Sequence, residues 1–328
     1  MNKRVTEWSK RLAWSAVAVL AANVASAQDA SQYPNRPVRL MGQGVGSTAD
    51  YLSRFIAQKL TDKWGQPIVV DSRAGAGGTI SADLVAKAAP DGYNLIMGHA
   101  GPMVSAVSLY KNLPYDPVRD FAPITRVTTG VTVLVTHPSI PVSNVKELIA
   151  YAKSKGGLAF GSAGNGTISH LSGELFNQLA GVKTTHVPYK SAGFALTALL
   201  SGEVPISYLS PITAHAQLRA GKVKALAVSS RERFEATPDI PSATEAGLPD
   251  FEALLWFGLF TTANTPRPIV MKLNQAVVEL LNHPENKAMI LKQGALVATS
   301  TPEALGQFVR SELKKWTPLI KAAGITAG

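Results

Sequence analysis

The 328-residue chain contains no cysteine. That removes a disulfide framework, a thiol nucleophile and thiolate metal sites, and a chain of this length can bury a core without such staples. Only 16% of its residues are charged, with no run of Lys or Arg and no aromatic stripe between basic positions. Nucleic acid is therefore set aside as a partner. The six histidines show no His-x-x-x-His spacing and no clustered carboxylates accompany them, so neither metal nor cofactor is called for. Beyond residue 24 no run of about 18 apolar residues appears, which argues against a permanent membrane span. Solenoid-period repeats and low-complexity segments are missing as well.

What is present begins at the N-terminus. Lys3, Arg4, Lys10 and Arg11 surround and precede an apolar stretch over 12–24, and Ala25-Ser26-Ala27 follows. This is the pattern of a secretory signal peptide over 1–27, cut after Ala27, so the mature chain is expected to be exported. The formal charge of +10 drops to +7 without the leader, with 28 basic against 21 acidic side chains. A mild attraction for small anions follows. About 300 mature residues suffice for two domains at roughly 100–200 residues each.

Apolar periodicity alternates between strand and helix. Strands are expected at 38–41, 67–70 and 93–97. Between them lie a helix with Leu52, Phe55, Ile56 and Leu60 on one face, closed by Trp64-Gly65, and a second helix at 80–88. A βαβαβ run of this kind implies a parallel sheet with right-handed crossovers. A β-rich stretch at 124–136 leads into a second alternation, with helices at 145–153, 168–179, 195–200 and 212–220 and strands at 158–160, 184–187, 204–208 and 223–228. An apolar run at 251–260 and helices at 269–281, 285–293 and 302–323 finish the chain. The economical reading is two α/β halves joined by two extended crossings, near 127–133 and 249–256, which can absorb a hinge rotation.

Three times a strand breaks into a glycine-rich loop with a hydroxyl residue before a helix: Gly44-Val45-Gly46-Ser47-Thr48, Gly75-Ala76-Gly77-Gly78-Thr79 and Gly164-Asn165-Gly166-Thr167. Each junction aims free N–H groups and a positive helix end at one spot, a ready anion site. Converging loops of this kind hold a carboxylate without arginine. Simpler roles exist: Ser47-x-x-Asp50 is also a capping box, Thr167 an N-cap, and Gly77 and Gly78 serve chain reversal. Arg73, in an exposed loop, is left out of the site.

Two rival readings arise. Gly44-x-Gly46-x-x-Ala49, with Asp71 ending the next strand, matches a dinucleotide fingerprint, but an exported protein meets little free nicotinamide cofactor and no hydride site follows. Ser162 with His170 suggests a nucleophile and base, yet no Gly-x-Ser-x-Gly elbow surrounds the serine and no carboxylate is evidently placed to orient the imidazole. The chain is read as a binder and not an enzyme.

The segments 45–50, Val69-Val70-Asp71-Ser72-Arg73-Ala74-Gly75-Ala76-Gly77-Gly78-Thr79 and Lys87-Ala88-Ala89-Pro90-Asp91-Gly92-Tyr93 closely resemble signatures of the Bug-type solute-binding proteins of tripartite tricarboxylate transporters. The resemblance continues through Leu113-Pro114-Tyr115-Asp116-Pro117, 161–170, Val187-Pro188-Tyr189-Lys190, 225–228 and 256–260, in order, over essentially the whole mature chain. It implies a periplasmic two-domain receptor of the type II periplasmic-binding-protein fold, each domain a mostly parallel sheet flanked by helices with the ligand cleft between them. Domain 1 would comprise 28–130 plus 251–328, and domain 2 would comprise 131–250. Such a monomeric receptor closes over a small organic carboxylate and hands it to membrane permease subunits or, in a signalling variant, presents it to a membrane sensor. Neighbouring genes would separate these two roles.

The site implied by the resemblance has Gln43, Val45, Gly46, Ser47 and Thr48 on one wall with His99 and Ala100 beside them. Ser162, Asn165 and Thr167 face them from the other domain, and His170 orders its loop by hydrogen bonding. Where relatives often carry an aspartate after a Gly-x-Val run, this chain has Gly202-Glu203-Val204-Pro205, and 206–217 holds no acidic residue. With no acceptor for an ammonium in a desolvated cleft, a plain mono- or dicarboxylate, aliphatic or aromatic, is favoured over an amino acid.

Overall fold

The computed structural model describes residues 30–322 and 324–326; the expected signal peptide lies outside them. Two sheets organise these residues, in the strand orders β11-β4-β10-β3-β1-β2 and β7-β6-β8-β5-β9. In the first, β1 (Val38–Gly42) pairs in parallel with β2 (Ile68–Ser72) and β3 (Asn94–Gly98). The strands β10 (Leu254–Thr262) and β11 (Leu296–Val297) run against β4 (Phe121–Val131). In the second, β6 (Leu158–Ser162) is parallel to β7 (Thr184–Pro188) and β8 (Ile206–Leu209). Only β5 (Val133–Thr136) opposes its neighbours β8 and β9 (Lys224–Val228).

Strand alternation sends successive side chains to opposite faces. Leu40, Leu95 and Leu259 enter one core, which the helices Thr48–Trp64 and Arg267–Asn282 cover. Met41, Ile96 and Phe260 enter the other, under the helix Pro302–Ala322. The second sheet is likewise covered on both faces, with Leu134, Ile206 and Tyr208 on one and Val133, Val135 and Leu209 on the other. Each lobe is thus a three-layer α/β unit. Local signals set the helix ends: Ser47 accepts from the Asp50 N–H at the start of Thr48–Trp64, and Gly65, at φ 66°, closes it by donating to the Thr61 carbonyl. That left-handed turn is the one glycine adopts without steric cost.

The chain passes between lobes twice, side by side. One residue, Thr132, separates β4 from β5, so a nearly continuous strand belongs to both sheets: Val131 pairs with Leu254, while Val133 pairs with Leu209 and Val228. The return crossing is bonded to it through Ser229, which donates its N–H to the Thr132 carbonyl at 2.8 Å and accepts the Ala253 N–H at 3.1 Å. One irregular stretch had no counterpart in the sequence reading, a π-helical turn at Gly101–Ser105 running into the short helix Ala106–Leu109. No helix among the described residues is long and apolar enough to cross a membrane.

Candidate functional site

The C-terminal ends of parallel strands in both sheets face one cleft. Gln43 follows β1, His99 follows β3, Ala163 follows β6, Lys190 lies just beyond β7 and Ser210 follows β8, and all five line the wall. Open α/β sheets place ligands at this edge. The cleft leaves about 70 Å³ accessible to the centre of a water-sized sphere, above the roughly 10–15 Å³ that one water needs.

Five helices begin at this wall. Their N-caps are Ser47, Gly78, Thr167, Ser191 and Ser210, and every one lines the cleft. Each helix start presents N–H groups that lack intrahelical acceptors and about half a positive charge, so the summed field favours an anion. Lys190 adds a full charge, and no Asp or Glu is among the lining residues. Leu255, Phe257 and Ile168 supply apolar surface between the polar groups.

Gln43 and His99 form one rigid unit. The His99 Nδ1 accepts from the Gly101 N–H at 3.0 Å, which leaves Nε2 to donate to the Gln43 Oε1; Gln43 in turn donates its amide to the Met97 carbonyl at 3.1 Å. Burial lowers the His99 pKa from its ordinary 6.5 to about 4, so the ring is neutral near pH 7 and this polarity is fixed.

The lobes touch. Thr48 hydrogen-bonds by its hydroxyl to that of Ser210 across the cleft and approaches the Thr213 hydroxyl at 3.2 Å. The second and third glycine loops meet so closely that a Cβ on Gly77 would sit 2.5 Å from the Asn165 carbonyl oxygen. All three glycine junctions therefore come to one place.

Of the residues singled out from sequence, Gln43, Ser47, Thr48, His99 and Thr167 line the cleft. The Ser47 hydroxyl caps its helix, accepting from the Asp50 N–H at 3.1 Å and donating to the Gly44 carbonyl at 2.8 Å. Thr167 donates to the Gly164 carbonyl at 2.7 Å. Their hydroxyls shape the loops, and the Gly46, Ser47, Gly164, Gly166 and Thr167 N–H groups bond within them, so the donors left over are the first N–H groups of the helices that follow.

The other six do not line it. Val45 is 68% exposed on the outer lip, and the adjacent Gly46 donates its N–H to Asp50. Ala100 is packed in the core. Asn165 contributes its backbone to the lobe contact. Ser162 and His170 lie behind the third loop: Ser162 bonds His186 Nε2 at 2.6 Å, His186 stacks on His170 with ring centroids 3.6 Å apart, and His170 Nδ1 accepts the Gly166 N–H at 3.1 Å. Burial, with the neighbouring His170 adding to it, lowers the His186 pKa to about 3. The Ser162–His170 pairing set aside in the sequence does not form: Ser162 is buried and bonds the half-buried His186, and neither lines the cleft. The group braces the loop.

The rival dinucleotide reading loses its ribose acceptor. Asp71 is held by Arg39 and Arg73, whose hydrogen bonds keep its carboxyl below the usual range. The strand beyond β3 is antiparallel β10, unlike the parallel continuation of the dinucleotide-binding fold.

Lys190, Ser191, Tyr208 and Ser210 escaped the sequence reading. Placing helix starts at 195 and 212 hid two caps, because the helices begin at Ala192 and Pro211. A serine ahead of each start was the available signal. Tyr208 lies within an apolar strand and carries none.

Residues 52–325 match the family described as Tripartite tricarboxylate transporter family receptor. The chain is 32% identical over 319 residues to Protein BugT of Bordetella pertussis, covering 96% of this chain and 98% of that one. Among solved structures it is similar to Rpa4515 of R. palustris with adipate, at 33% identity and a TM-score of 0.87, covering 90% and 99% of the two chains. It is also similar to MatC of Rhodopseudomonas palustris with bound malate, at 37% identity and a TM-score of 0.82, covering 88% and 100%.

Proposed function

The chain belongs to the tripartite tricarboxylate transporter receptor family, and from that premise we propose that it is a periplasmic receptor capturing a small organic carboxylate by hinge closure for delivery to membrane permease subunits. The observation that carries this reading is a cleft wall where five helix N-termini and one lysine converge with no acidic side chain. Such a wall attracts an anion and offers its donors already in place. Adipate and malate in the two similar structures agree in class.

The same wall disfavours amino acids. Glu203 is engaged by the Tyr189 hydroxyl at 2.6 Å, and Asp50 by Ser72 at 2.6 Å and Arg54 at 3.0 Å; neither lines the cleft. Burying an unpaired ammonium costs several kcal/mol. Closure would turn on the paired crossings at Thr132 and Ala253, with 28–130 plus 251–328 moving against 131–250.

Thermal-shift and calorimetric titrations of the mature protein with succinate, malate and adipate, each beside its α-amino counterpart, test the reading. The acids should bind at least as well as the amino acids, and a ligand at 100 times its Kd raises stability by about 2.7 kcal/mol. A preference of more than about tenfold for the amino acids, or no carboxylate binding at all, would refute it.

A further inference from the structure

Eight hydroxyl-bearing residues line the cleft, and their hydrogen bonding divides them sharply. Ser47, Thr48, Thr132, Thr167, Ser169 and Ser210 all bond to protein groups. Ser191 and Tyr208 are buried, at 3% and 1% exposure, and their oxygens have no partner among the described residues. A buried polar atom without a partner is costly, so one that persists at a cleft wall is positioned for what enters the cleft.

Both come from the second lobe. Tyr208 is the penultimate residue of β8, with its ring fixed edge-on against Phe160 at 5.7 Å between centroids and tilted against Phe176 and Phe251 at 6.1 Å each. The hydroxyl is thus held at one place, and burial raises its pKa well above the ordinary 10. It remains a donor at any physiological pH. Ser191 is the N-cap of the ten-residue helix Ala192–Ser201, yet its side chain makes no capping bond, unlike Ser47 and Ser210. The first N–H groups of that helix and the Ser191 hydroxyl therefore stay available together, next to Lys190, which forms no ion pair among the described residues. A donor held by aromatic packing, a hydroxyl at a helix start and an adjacent cation all suit an acceptor with negative charge.

We propose that Ser191 and Tyr208 are specificity-determining residues that recognise a second carboxylate of the ligand, so that the cleft selects dicarboxylates over monocarboxylates of equal length. This rests on the carboxylate-receptor reading above and deepens it. The first carboxylate is left to the helix-start N–H groups opposite, and Phe257 and Leu255 offer apolar surface for the chain between.

Calorimetry with two matched pairs, succinate with butyrate and adipate with hexanoate, tests the proposal on the unsubstituted protein and on Tyr208→Phe and Ser191→Ala. The unsubstituted protein should prefer the dicarboxylate of at least one pair by more than tenfold. Each substitution should weaken that dicarboxylate roughly 10- to 100-fold, the range of a hydrogen bond to a charged group, while monocarboxylate affinity stays within about twofold. Thermal unfolding without ligand supplies an independent readout. Tyr208→Phe should leave the midpoint unchanged or raise it, because the hydroxyl it removes holds nothing. Equal loss for both members of a pair, no loss, or a lowered midpoint would overturn the assignment while leaving carboxylate binding intact. Failure of all four acids to bind would overturn the receptor reading itself.

Discussion

Replacing Gly193 with alanine should weaken ligand binding while leaving the free protein as stable as before. Gly193 lies in the first turn of the helix Ala192–Ser201 on one lip of the cleft. A Cβ there would stand 2.6 Å from the Val45 carbonyl oxygen and 3.3 Å from the Gly46 backbone on the opposite lip. Both obstacles are main chain, so no rotamer change relieves them. The lips must part by the difference between 2.6 Å and an ordinary contact of at least 3.4 Å, and every contact made on closure loosens with them. Overpacking of this kind costs about 1–3 kcal/mol, which predicts a roughly 5- to 150-fold rise in Kd. Within its own helix the alanine is favoured over glycine by up to about 1 kcal/mol. Calorimetric titration with a bound carboxylate, beside thermal unfolding without ligand, separates the two effects. An alanine variant that binds at full strength would show that closure does not bring these lips together, and the steric argument would fall.

Acid should destabilise the protein before its carboxylates titrate. His99 and His186 have folded pKa values lowered to about 4 and about 3 from an ordinary 6.5. The unfolded chain therefore binds their protons first, so their contribution is whole above pH 6.5 and is lost as pH falls toward those lowered values. Unfolding midpoints should drop between about pH 6.5 and 5, where carboxylates remain largely ionised, and less so in His186→Gln; a flat profile across that window would contradict the burial argument. Ser47→Ala should cost about 1 kcal/mol of folding stability through the lost cap, visible in urea unfolding, with a change in affinity of less than about tenfold. A larger affinity loss without loss of stability would mean that the Ser47 hydroxyl grips the ligand directly.

Fold features were legible where periodicity and punctuation agree. The apolar face of Leu52, Ile56 and Leu60, with Ser47 before it and Gly65 after it, announces the helix Thr48–Trp64 at both ends. The β-rich stretch at 124–136 was equally visible, but its division was not. Nothing in Val131-Thr132-Val133 marks the residue at which the strand leaves one sheet for the other, because all three side chains are buried and suit a strand. Partner strands far along the chain decide it, Leu254 on one side and Leu209 on the other. The same dependence on distant partners set the antiparallel directions of β10 and β5, which a local reading of alternating elements does not reach.

The site was legible as a location and less so as a list of side chains, and the reason is chemical. Glycine loops and hydroxyls announce a helix start, but the hydroxyl that makes Ser47 conspicuous in the sequence is the one its own backbone uses. An anion site made of main-chain N–H groups would need particular conformations at 44–48, 75–79 and 164–167 more than particular side chains, so motif reading finds the loops without showing which groups face the cleft. Ser162 shows the hazard: it belongs to the right loop and bonds inward to His186. What distinguishes Ser191 and Tyr208 is the opposite property, an oxygen the fold leaves without a partner. That property exists only once the neighbours are in place, since Ser191 has the sequence of an ordinary cap and Tyr208 that of a buried strand residue. On the proposal above, discrimination between ligands would fall to residues whose role is defined by an absent bond, and the loops that share the cleft would supply affinity for the carboxylate common to all of them.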